Sequence, residues 1–171
     1  MKRFFLLILV VFTLASCSEQ GTEKGNTSQN TPTKIGDSEL VNSLVGTWES
    51  VSLEITMPSW DGGDSTGYIT ADASNWEEVM QIKPVKTVFE SDYTYYAEYY
   101  DLNGQLIRRP SGTWEVRGNQ LTYKEEVPVM ATFFQQVEKI SDNQFRFTFQ
   151  MDYDQDGLED DRGIGISRKV N

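Results

Sequence analysis

From residue 46 onwards, apolar and polar side chains alternate with a period of two. Val51, Leu53, Ile55 and Met57 are separated by Ser52, Glu54 and Thr56, and Phe145, Phe147, Phe149 and Met151 by Arg146, Thr148 and Gln150. Alternation of this kind places one face of a strand in a core and the other in solvent. The pattern predicts eight strands, over 46–57, 84–91, 93–101, 105–116, 119–126, 129–140, 144–151 and 163–170. Proline donates no hydrogen bond to a ladder, so the fourth is expected to break at Arg109-Pro110. Turn residues fall between the runs, at Asn103-Gly104, Gly118-Asn119, Ser141-Asp142-Asn143 and the Asp/Gly stretch after Met151. Short turns between successive strands make an antiparallel meander. Eight such strands close into an all-β, up-and-down β-barrel that leaves no free edge. A two-sheet sandwich is the competing architecture, but nothing here suggests its long crossovers.

Two segments depart from the alternation. Ser38 to Leu44 has the spacing of a short helix with Ser38 as N-cap. Residues 58–83 form an insertion rich in Gly, Asp, Ser and Thr, with a helical turn expected over Asn75 to Met80. Trp48 lies out of phase with Val51, Leu53 and Ile55, which requires a bulge or twist between them.

The chain start follows different rules. Lys2 and Arg3 precede an unbroken apolar run, Phe4 to Phe12, the proportions of a secretory signal and too short to span a membrane. Leu14-Ala15-Ser16-Cys17 then resembles the lipobox of bacterial lipoproteins. The resemblance implies cleavage before Cys17, acylation of that residue and a membrane anchor made of lipid. Ser18 in the next position favours the outer membrane of the bacterial envelope, with the periplasmic and external faces both open. Residues 18–37 carry almost no bulky apolar group and read as a flexible tether, with a reach of about 25 Å. The expected organisation is a signal peptide over 1–16, the lipidated Cys17 and tether over 17–37, and a barrel domain over 38–171.

Composition narrows the chemistry. The 171 residues hold 26 Asp and Glu against 15 Lys and Arg, no His and one Cys. Histidine-based general bases and histidine-ligated zinc are excluded, as are intrachain disulfides and thiolate clusters. The net charge of −11 argues against nucleic-acid binding. It suits electrostatic capture of a basic protein partner, such as a lysozyme. Carboxylates remain as catalysts, but they fall mostly on turns and outward positions, so no enzyme is expected.

Within the predicted barrel, Leu44-Val45-Gly46-Thr47-Trp48-Glu49 is similar to the G-x-W signature of lipocalins. Ser111-Gly112-Thr113-Trp114-Glu115-Val116 with Asn119-Gln120-Leu121-Thr122-Tyr123 resembles small lipocalin-like domains of bacterial lipoproteins. The resemblance implies that Trp48 closes one end and that a basic residue of the last strand packs across it. Ile164, Ile166 and Arg168 share one face, which makes Arg168 the expected partner. The late T-D-Y element of lipocalins is missing; Ser91-Asp92-Tyr93 looks like it but falls between the second and third strands.

Two places carry candidate ligand chemistry. Tyr95, Tyr99, Trp114, Tyr123, Phe145 and Phe147 are expected to point inward, where they either line a pocket for a small apolar or amphipathic molecule or fill the barrel. Asp152-Tyr153-Asp154-Gln155-Asp156-Gly157 resembles the start of an EF-hand-like calcium loop. That resemblance implies Ca²⁺ held by Asp152, Asp154, Asp156, the Leu158 carbonyl and Asp160. Position twelve is Gly163 instead of the usual Glu, so Asp161 or water has to complete the shell. The alternative is a solvated acidic hairpin loop.

Overall fold

Alternation in Gly46–Met57 produces β1, the longest strand, in a computed structural model that describes residues 38–60 and 63–170. The described residues fall within one compact unit, Lys34–Asn171. Cys17, the signal segment and the whole of the expected tether lie outside the described residues. Ahead of β1 comes helix α1 (Ser38–Leu44), and no helix among the described residues is long and apolar enough to cross a membrane. The later elements are β2 (Gly67–Ala71), α2 (Trp76–Met80), β3 (Lys86–Phe89), β4 (Thr94–Tyr100), β5 (Leu106–Arg108), β6 (Ser111–Arg117), β7 (Gln120–Val127), β8 (Ala131–Ser141), β9 (Gln144–Met151) and β10 (Asp161–Val170).

Eight of these strands close a barrel in the order β1-β3-β4-β6-β7-β8-β9-β10, every neighbour antiparallel, with β10 returning to β1. The up-and-down barrel expected from the alternation is the fold observed. The expected break at Arg109-Pro110 separates β5 from β6, and α2 forms where a helical turn was expected. Strand β2 was not anticipated. Its five residues pair with Leu53 to Met57 of β1, while β3 pairs with Gly46 to Glu49 on the same edge. Gly67 and Ala71 blur the alternation of Gly67-Tyr68-Ile69-Thr70-Ala71, so the run reads as loop.

The phase conflict at Trp48 is resolved by a bulge. Ser50 pairs with Ser167 and Ser52 with Ile166, so Val51 is an extra residue in β1. Trp48 below the bulge and Ile55 and Met57 above it are all buried.

The two ends of the barrel differ. At the lower end, where α1 enters, Leu44, Trp48, Phe89, Trp114, Val116, Leu121, Val137 and Phe145 pack into one continuous core. Trp48 meets Phe145 edge-on at 4.7 Å, and Phe89 meets Trp114 at 5.2 Å. The upper end carries the longer connections, including β4–β5, β9–β10 and the segment between β1 and β3.

Strand β10 runs in the opposite phase to the one expected from its isoleucines. Its inward residues are Asp161, Gly163, Gly165, Ser167 and Lys169, while Ile164 and Arg168 are exposed. The reason lies in β9. Phe149 pairs with Gly163, and a Cβ on that glycine would sit 2.0 Å from the phenyl ring. Large inward side chains on one strand require small ones on its neighbour. Gly163→Ala is expected to destabilise the fold by about 1–3 kcal/mol through overpacking. Phe149→Ala should cost less in that background than in the wild type, and additive denaturant-unfolding energies for the two changes would contradict this packing.

Candidate functional site

Lower-end closure is built around Trp48. Its indole N–H donates to the Leu44 carbonyl at 2.7 Å, tying the end of α1 to β1. The ring is covered by Lys169, not Arg168: Lys169 Nζ lies 5.3 Å from the ring centroid and donates to the Val45 carbonyl at 2.8 Å. Arg168 points outward and pairs with Glu49 at 3.5 Å. The correction follows from the phase of β10, which the glycines set. Gly46 explains the glycine of the signature. Its φ of +130° favours glycine, and a Cβ there would lie 2.7 Å from Lys169 Cε. The lysine stem crosses the strand at the one point where it has no side chain.

The six aromatic residues expected around a pocket divide into two groups. Trp114, Phe145 and Phe147 belong to the packed core, which also takes in buried Tyr95 with Tyr123 packed against it, and they fill space instead of enclosing it. Tyr95 and Tyr123, with ring centroids 5.0 Å apart, sit above them. Tyr99 follows on the same face of β4, next to an ion pair that alternation does not reveal. Glu125 points inward from β7 with a buried side chain, and Arg108 Nη2 reaches its two carboxylate oxygens at 3.1 and 3.3 Å. The Arg108 guanidinium also lies 5.6 Å from the Tyr99 ring centroid. Arg108 reaches this position because β5 is set off from β6 by Pro110 and pairs with β4 through an irregular register. The available signal was an Arg-Arg-Pro run inside an apolar stretch, which does not say which arginine turns inward.

Phe133 pairs with Tyr123 and shares the inward face of buried Val137, yet it is 38% exposed. Val127, Val129 and Met130 are exposed around the same β7–β8 corner, where a depression of about 450 Å³ is lined by Lys124, Glu125, Glu126, Met130, Ala131 and Thr132. None of the six aromatic residues expected around a pocket lines it, and Lys124 and Thr132 belong to the outward face of the strands. A second depression, of about 360 Å³, lies over β8–β10 and includes Phe134, Gln136, Thr148 and Arg162.

The acidic loop between β9 and β10 also regroups its residues. One carboxylate oxygen from each of Asp152, Asp154 and Asp161 lies within 4.8 Å of the others. Asp156 turns away: one oxygen accepts the Leu158 N–H at 2.7 Å and the other the Ser59 hydroxyl at 2.7 Å. Ser59 also reaches Asp160, at 3.4 Å. Leu158 is exposed. Asp156 and Asp160 are therefore outside the converging set of carboxylates, and Asp161, the first residue of β10, is inside it. This grouping differs from the EF-hand-like spacing because the loop is a hairpin connection whose second arm begins at Asp161.

Burial raises the pKa of the Tyr95 phenol to about 12, with the Glu125 carboxylate adding to the effect. Burial pushes Tyr99 and Tyr123 up as well. From the unfolded value of about 10, only the unfolded chain loses the Tyr95 proton until the pH passes the folded value. Stability is therefore retained below pH of about 10 and falls as pH rises towards 12. In an alkaline titration followed by phenolate absorbance, Tyr95 and Tyr123 should ionise with unfolding; full ionisation of all eight tyrosines at the ordinary phenol pKa with the fold intact would contradict their burial.

No family model and no curated protein matches the chain. Among solved structures it is similar to a redesigned β-barrel, with a TM-score of 0.41 and 14% identity over 77% of this chain and 95% of that one.

Proposed function

We propose that this protein is a non-catalytic binding module of the bacterial envelope, anchored by lipid at Cys17, whose lipocalin-like barrel takes a small amphipathic molecule at its upper mouth. The observation that carries the reading is the partly exposed inward Phe133 opposite Tyr123, one inward position from the Arg108–Glu125 pair. An apolar body finds Phe133, Val129 and Met130, while a polar head finds the half-exposed Arg108 guanidinium beside them. Separation of apolar and polar contacts within one site is the usual basis of affinity and orientation for such ligands. The Gly46-x-Trp48 signature and the Lys169 closure support the lipocalin-like character of the barrel. The lipobox-like segment supports the anchor.

Anilinonaphthalene sulfonate, an amphipathic anion, provides a direct probe. Its fluorescence should rise saturably with the full chain, and Phe133→Ser and Arg108→Ala should each weaken binding roughly tenfold, about 1.4 kcal/mol. Affinity indifferent to both substitutions would move the site elsewhere. Affinity for a basic protein that collapses with salt, without probe binding, would favour a protein partner.

Cys17→Ala should shift the protein from the membrane to the soluble fraction of its host. Undiminished membrane retention would refute the lipid anchor.

A further inference from the structure

We propose that the loop between β9 and β10 holds a divalent cation, Ca²⁺, on Asp152, Asp154 and Asp161, and that the ion locks the two strand ends together. Convergence of three carboxylates is not sufficient grounds, since acidic loops are commonly solvated. The decisive observation is Asp161. It is 1% exposed, and its Oδ2 accepts the backbone N–H groups of Tyr153 and Asp154 at 2.5 and 3.2 Å. Its Oδ1 is buried and has no hydrogen-bond partner. Asp152 Oδ1 is in the same condition, while its Oδ2 accepts the Gly157 N–H at 3.1 Å.

Buried carboxylate oxygens are normally satisfied, and a negatively charged one without a donor is strongly disfavoured. A cation between Asp152 and Asp161 supplies what these two oxygens lack and offsets the mutual repulsion of three acids within 4.8 Å; Asp160 Oδ1, also buried and without a partner, lies outside the converging set. The donor set is all oxygen, which selects hard cations over zinc or copper. Ca²⁺ accepts irregular shells completed by water, whereas Mg²⁺ demands near-octahedral geometry. A hairpin loop with three carboxylates therefore suits Ca²⁺ better.

The position gives the ion a structural task. Asp152 directly follows β9 and Asp161 opens β10, so a shared cation clamps the two strand ends. Ser59, in the connection after β1, bonds Asp156 and carries that order to a neighbouring loop of the upper rim. The clamp acts at the open end of the barrel, opposite the Trp48–Lys169 closure. It does not depend on any small-molecule ligand being bound.

The full chain is titrated with CaCl₂ at constant ionic strength while thermal unfolding is followed. With three carboxylates and no bidentate Glu, Kd should fall at roughly 10⁻⁴–10⁻³ M. At about tenfold above Kd the melting temperature should rise by about 3–6 °C. Asp152→Asn and Asp161→Asn should each abolish the rise, whereas Asp156→Asn, outside the converging set, should preserve it. Should Asp161→Asn fail to fold, Asp152→Asn and Asp156→Asn still separate the outcomes. No rise in the wild-type protein at about 10 mM Ca²⁺, or an equal loss in the Asp152 and Asp156 variants, would overturn the proposal.

Discussion

The extra residue in β1 is the constraint on which the barrel depends. β1 is the longest strand and pairs with β10 along most of its length, closing the cylinder. Without the bulge at Val51, a strand that buries Trp48 below would turn Ile55 and Met57 outward above, since a one-residue shift exchanges the faces of a strand. With it, one strand supplies inward side chains at both ends. Trp48 then meets α1, Phe145 and Lys169, while Ile55 and Met57 stay covered beside Gly163 and β2. The bulge also adds local twist where the first and last strands must meet at closure.

A division of labour between the two ends follows. The lower end is filled by indole and phenyl rings and sealed by a helix, which leaves it suited to stability. The upper end combines buried and half-buried tyrosines, an ion pair shielded on one side and apolar side chains facing solvent. Such a mixture is poor packing but good recognition chemistry, and its carboxylates and hydroxyls are held by strands instead of loops. Arg108 is the exception. It belongs to a three-residue strand outside the main circuit of the barrel.

Much of this was legible in the sequence because alternation reports directly on burial. The barrel strands, the break at Arg109-Pro110, both helices and the need for a bulge or twist after Trp48 could be read from it, whereas β2 could not. What could not be read depended on neighbours across the sheet. Ile164 and Ile166 look like a core face only until Phe145, Phe147 and Phe149 are known to occupy that space from β9. The choice of Lys169 over Arg168 follows from the same fact. The Arg108–Glu125 pair joins different strands through an irregular register, and no local spacing encodes it. In the acidic loop, spacing identified Asp152 and Asp154, but Asp161 became apparent only from where β10 begins.

The hydrogen bond from Lys169 to the Val45 carbonyl spans 124 residues. Contacts of such sequence separation form late, because the chain loses the entropy of a long loop before they contribute anything. Until residues 161–170 arrive, β9 and β1 both present unpaired edges, and the aromatic residues between them lack a lid. The incomplete sheet in that interval is a template for pairing with another chain. The final strand, with its glycines and a single lysine, thus governs the hazard of misassembly during folding as much as the shape of the finished barrel.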